Sequence, residues 1–171
     1  NVGADKPEDY GYHFRWGDTV GYKRVNDKWV ASDGSSSNFS FTHLNSTYNK
    51  SFGDLFNAGW VTSAGYLMPE HDAAHVHWGG DWRMPTDQEI ANLCNKCDWT
   101  WTTMNRVQGY LVRGKGNYSS VSIFLPCVGY GYETRLDYAG DVGRYWSSAM
   151  CSDTWNAFNL AFNSRSVNGA S

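Results

Sequence analysis

The chain has 171 residues, enough for one domain with one substantial core, and a formal net charge of −3. Fourteen Lys and Arg stand against 17 Asp and Glu, which builds no basic face and excludes a nucleic-acid partner. No apolar run approaches the roughly 18 residues of a bilayer span, so no membrane insertion is expected. Residues 1–171 are expected to form a single domain. The chain opens on Asn1-Val2-Gly3 with no initiator Met or signal peptide, as a mature or trimmed form would. Four Cys are too sparse to staple a chain of this size. Nine Trp and eleven Tyr are many, and both serve irregular cores and binding surfaces alike.

Up to about Thr19 the mixture of Gly and aromatics predicts irregular structure with a short strand around residues 12–16. Residues 20–30 predict a hairpin with Asn26-Asp27 at its turn. Residues 31–48 contain the run SDGSSSN and predict a surface loop or insertion, near 31–50, because such residues satisfy their own backbone and bury little. Residues 70–78 predict a short helical stretch. After Pro85 comes the clearest helix signal: Thr86 as N-cap and Glu89 completing a capping box. Asp87 and Glu89 sit in the first turn, where the macrodipole favours anions. Ile90, Leu93, Cys94 and Cys97 supply an apolar stripe at helical spacing, and the helix should end near residues 96–98.

Beyond it the period changes to two. Residues 109–114 and 120–126 predict strands joined by a Gly-Lys-Gly-Asn turn, the second buried on both faces. Residues 145–148 and 156–162 predict two more. One or two helices among many short strands reads as α+β. In the last strand Phe158, Leu160 and Phe162 should point inward and Ala157, Asn159, Ala161 and Asn163 outward. The preceding loop, residues 150–155, holds Met, Cys, Ser, Asp, Thr and Trp. An exposed Trp beside Met and Cys is unusual for a plain turn and is typical of a paratope-like surface.

Other chemistry is weaker. His71, His75 and His77 form H-x3-H-x-H, and the first two, one helical turn apart, can share a metal. His77 fits that set only if the helix has ended, and no Cys completes it, so a helix-end cluster with His75 packed and the other two solvated is the preferred reading. Cys94 and Cys97 have redox or zinc spacing but fall in the last helical turns with no second pair. They read as a packed and a partly exposed thiol. Cys127 reads as core and Cys151 as exposed. Asp137, Asp141 and Asp153 are too scattered for an acid/base pair. No catalytic residue, metal or other cofactor is expected.

Three blocks in order carry a family resemblance: WGGDWRMPTDQEI (78–90), GYLVRGKGNYSSVSIFLPCVGYG (109–131), and GRYWSSAM with NAFNLAF (143–150 and 156–162). Together they resemble the Fibrobacter succinogenes major paralogous domain, a bacterial version of the C-type lectin-like fold. The N-terminal NVGADKPEDYGYHFRWGDT fits as well, leaving only roughly residues 22–66 outside. The resemblance implies a C-type lectin-like fold of one or two helices, short and mostly antiparallel strands and long loops. WRMPT would lead into the main helix and YWSS would lie in the core sheet. It also implies a secreted, cell-surface or phage-particle domain that binds a protein or glycan on another cell and is not an enzyme.

Some members of that family are variable proteins of diversity-generating retroelements. By resemblance to them, Arg144, Met150, Cys151, Asp153, Trp155, Asn159, Ala161 and Arg165 would be ligand-binding positions. The calcium and sugar tripeptides of carbohydrate-binding C-type lectins are absent, since Trp155-Asn156 continues to Ala157, so calcium is unsupported. The related formylglycine-generating enzymes make a Cys or metal enzyme one alternative. A structural module of a surface assembly is another. Family members usually continue to a segment ending near G-F-S-V-R, whereas residues 168–171 read NGAS. The last strand is therefore expected to be missing or shortened.

Overall fold

The computed structural model describes residues 1–35, 38–41, 47–151 and 156–169. The first element is the expected hairpin. Strands β1 (Tyr22–Val25) and β2 (Lys28–Ala31) pair antiparallel, with Val25 opposite Lys28. Asn26 and Asp27 between them have φ of 49° and 60°. That left-handed pair suits a two-residue hairpin turn, and Asn and Asp tolerate it well. The strand expected at residues 12–16 reduces to a single bridge, His13 to Tyr22. Side chains hold that segment instead. The Trp16 indole N–H donates to the Ser147 carbonyl at 2.9 Å, and the Trp146 indole N–H donates to the Phe14 carbonyl at 3.0 Å.

The described part of the Ser/Asn-rich stretch buries more than its composition implies. Phe39 is buried and stacks on Tyr22, with ring centroids 3.4 Å apart, and Phe41 meets Phe39 and Trp29 edge-on. Thr47 is also buried, its hydroxyl donating to the Trp16 carbonyl.

Three α-helices follow among the described residues, where one or two were expected. The unforeseen one, α1 (Phe52–Asn57), is set by a capping box of Ser51 and Asp54. The helical stretch expected at 70–78 is split. Pro69–His71 form one 3-10 turn, and Asp72 then caps α2 (Ala73–Trp78) by accepting from the His75 backbone N–H. The main helix, α3 (Asp87–Lys96), has the Thr86–Glu89 capping box read from its sequence. Its Ile90, Leu93 and Cys94 pack into the core beside Leu160 and Phe162.

Strands β3 (Asp98–Met104), β4 (Val107–Arg113) and β5 (Ser122–Pro126) form one antiparallel sheet in that order. Strand β3 was not expected, although Trp99 and Trp101 alternate with Thr as a half-buried strand requires. The link from β4 to β5 is longer than the predicted turn and contains a 3-10 turn, Gly116–Tyr118. Nor is β5 buried on both faces: Phe124 and Pro126 are buried, but Ile123 is 46% exposed. Among the described residues the strand lies at the sheet edge, paired with β4 alone.

The chain then forms a small hairpin, β6 (Tyr130–Tyr132) with β7 (Arg135–Asp137), and a second three-stranded sheet. That sheet has the order β10-β9-β8, built from β8 (Val142–Met150), β9 (Ala157–Asn163) and β10 (Ser166–Asn168). A last strand is therefore present, three residues long, with Val167 opposite Phe162. Tyrosine hydroxyls join the two larger sheets: Tyr145 donates to the Pro126 carbonyl at 2.7 Å and Tyr110 to the Asn163 carbonyl at 3.1 Å.

The architecture is α+β, with few helices and mostly antiparallel strands in small sheets. Two apolar clusters hold it. One gathers Trp16, Leu55, Val61, Leu67, Met150 and Ala157; the other gathers Ile90, Tyr110, Val112, Cys127, Leu160 and Phe162. Each large side chain among them contributes about 1.5–3 kcal/mol by leaving water. Among the described residues no helix is long and apolar enough to cross a membrane.

Candidate functional site

Strands β8 and β9 place Arg144 opposite Ala161 and Trp146 opposite Asn159. Directly opposed residues share a face. The other face carries Tyr145, Leu160 and Phe162 into the core. The four outward residues thus form one patch. Arg144 is exposed, Trp146 is 39% exposed, and Asn159 and Ala161 are half-buried. Under Arg144 lies Tyr130, with the guanidinium 5.1 Å from the ring centroid, and Tyr130 stacks in turn on Tyr138. Among the described residues the Arg144 guanidinium makes no hydrogen bond or ion pair, so a cation–π contact positions it with its N–H donors uncommitted.

Met150 does not join this patch. It is 8% exposed and packs in the core with Trp16, Leu55 and Ala157. The cause is a register shift between Trp146 and Met150, after which Met150 pairs with Ala157. Across the shift Ser147, Ser148, Ala149 and Met150 are all buried in succession, so strict alternation ends there. Residues 65–67 and Pro85 cover that stretch: Leu67 N–H donates to Ser148, Met150 N–H to Gly65 and Ser148 N–H to Pro85. The same shift takes Ala157 inward, contrary to the outward position expected for it, and Phe158 is only half-buried.

The remaining expected positions are dispersed. Cys151 is half-buried, its N–H donating to the Asn156 carbonyl. Asp153 and Trp155 lie outside the described residues. Arg165 is exposed in the turn after β9, at the end of that strand remote from Met150. Two contributors were missed. Trp146 belongs to the motif read as scaffold, yet period two counted from Arg144 places it outward. Tyr130 carries no sequence signal, because its place under Arg144 depends on how the β6–β7 hairpin docks.

The three His act separately. The His71 ring stacks on Trp60 with centroids 3.6 Å apart. His75 Nδ1 donates to the Trp82 carbonyl at 3.2 Å, and His77 Nε2 donates to the Thr19 carbonyl at 2.7 Å. Among the described residues no group of three or more His, Cys, Asp or Glu is arranged to hold a metal ion. Cys127 is fully buried, and burial, aided by Asp141, pushes its thiol up to about 11. Burial also raises Cys94. Neither supplies a thiolate at neutral pH, which nucleophilic chemistry would need.

A concave region lies beside α2. It is a groove of about 420 Å³ lined by Tyr66, His75, Asp81, Trp82 and Thr86, among others. The loop that displays Trp82 is fixed from both sides. The buried Asp72 carboxylate accepts from the Met84 N–H at 2.9 Å and 3.1 Å and from the His75 N–H at 3.0 Å. Arg83 forms a bidentate pair with Glu89, both contacts 2.7 Å. The Arg83 guanidinium, together with the Thr86 N–H, holds the Glu89 carboxyl well down, at about 2. Trp82 itself is 62% exposed and meets Trp78 edge-on at 5.0 Å.

No family model matches the chain, and no curated protein or solved structure matches it either.

Proposed function

We propose that the chain is a non-enzymatic ligand-binding domain of C-type lectin-like fold, displayed on a cell surface or phage particle. Its contact face is the outward side of β8 and β9, and its ligand is a protein or glycan on another cell. The observation that carries this reading is the cross-strand patch of Arg144, Trp146, Asn159 and Ala161, backed by Tyr130 and Tyr138. Trp, Tyr and Arg are the residue types that dominate binding hot spots. Here they project from a sheet whose reverse face is core, the rigid support that a contact surface needs. The outward positions are also those at which a diversity-generating retroelement would vary the chain with least harm to the core.

Flow cytometry of a panel of bacterial cells stained with the labelled domain tests this. The double variant Arg144→Ala/Trp146→Ala is expected to lower staining about ten-fold or more, the loss of one hot-spot contact or two. Loss of the Trp146–Phe14 bond should lower its melting temperature by several degrees and leave it folded at the temperature of the assay. Undiminished staining, or a variant that unfolds, would show the patch to be scaffold.

A further inference from the structure

We infer that the groove beside Trp82 is a binding site for a neutral saccharide, separate from the β8–β9 face and not dependent on it. A pyranose ring has an apolar C–H face bordered by hydroxyls that both donate and accept. It fits an exposed aromatic ring held beside mixed polar groups. The groove supplies that ring: Trp82 is largely exposed on a loop held by hydrogen bonds on both sides. Asp72 clamps the loop through Met84, the Arg83–Glu89 pair clamps its exit, and His75 Nδ1 holds the Trp82 carbonyl. An aromatic platform already in position spares a ligand the cost of ordering it.

The groove wall supplies the polar partners. Because a carbonyl only accepts, His75 carries its proton on Nδ1, which leaves Nε2 an acceptor in the neutral ring. Asp81 lines the groove, and its carboxylate has no ion pair among the described residues. Thr86 Oγ1 accepts from the Glu89 N–H, leaving its own O–H to donate outward. The volume, about 420 Å³, lies within the range of small-ligand sites.

Charge and ring count select among occupants. Arg83 is committed to Glu89, so among the described residues no unpaired Arg or Lys lines the groove to attract an anion, and Asp81 repels one. A quaternary ammonium needs a cage of converging ring faces; Trp78 does not line the groove, and the second aromatic residue of its wall, Tyr66, has its hydroxyl tied to Asp87 at 3.3 Å. An exposed indole in a groove that also holds acceptors and a hydroxyl matches a sugar ring.

The test is titration of the full chain with glucose, galactose, mannose, N-acetylglucosamine and their β-linked disaccharides, read by tryptophan fluorescence and by the Trp82 indole NMR signal. Tetramethylammonium serves as the competing cation. At least one of the sugars should saturate the signal. Trp82→Ala should weaken that binding about ten-fold, Asp81→Asn several-fold, and Trp82→Phe less than Trp82→Ala. Trp146→Ala should leave it unchanged, which keeps this site distinct from the β8–β9 face. The inference is overturned if none of these sugars binds, or if a folded Trp82→Ala variant binds equally. It is also overturned if binding depends on Trp146 instead, or if only tetramethylammonium binds through Trp82.

Discussion

At His13 the imidazole lies between the Val128 carbonyl, to which Nε2 donates at 2.9 Å, and the Trp29 indole, which it meets edge-on at 5.7 Å. Its Nδ1 is buried with no hydrogen-bond partner among the described residues. Burial therefore holds its pKa below the ordinary 6.5. As pH falls the unfolded chain takes up this proton before the folded one does, so folding stability is full above about pH 6.5 and declines below it. The slope for one such proton is at most about 1.4 kcal/mol per pH unit. Lowering the pH from 7 to 5.5 should shift the urea midpoint down, and His13→Gln should flatten that shift. An undiminished shift in the variant would place the proton elsewhere. At this scale legibility depends on whether a residue acts alone. The Thr86–Glu89 capping box is settled within four residues and can be read directly. Met150 cannot be read in this way, because an exposed loop Met and a core Met are the same letter until the bulge before it is known.

Among the elements, the β8–β9 pair depends most on one small residue. Gly143 lies against Phe162, and a Cβ there would stand 2.1 Å from the ring. Phe162 cannot retreat easily, since it is buried and its ring packs against Trp99, Tyr110 and Tyr145. Gly143→Ala should cost about 1–3 kcal/mol through overpacking and lower the melting temperature by several degrees. An unchanged melting temperature would mean that the aromatic cluster yields. Elements differ in legibility for a related reason. Helix α3 announces its cap and its stripe, and the Asn26-Asp27 turn announces its hairpin. The exposure of Ile123 depends on β5 lying at a sheet edge, and strand order is not written in any one strand.

For the whole molecule, the N-terminal segment and β8 are laced together by reciprocal indole bonds between residues 131 and 132 positions apart. Ser147 is completely buried, so its carbonyl depends on the Trp16 N–H. Trp16→Phe preserves most of the apolar bulk and leaves that acceptor unsatisfied, at a cost of about 1–3 kcal/mol. The urea midpoint measures it; equal midpoints would show the bond to be dispensable. The α+β class was legible from the change of period after α3. The lacing was not, since nothing in residues 1–19 names its partner. Motif resemblance also favoured treating Trp146 as core, although it faces both Phe14 and solvent.

The register shift ahead of Met150 divides heritable change into two kinds. A swapped codon at 144, 146, 159 or 161 changes an outward side chain and leaves Tyr145, Leu160 and Phe162 in place. A gained or lost codon within the same strands would turn every later side chain over, sending arginine toward the interior and phenylalanine toward water. The outward face of these strands tolerates changed letters, while the number of letters must stay constant.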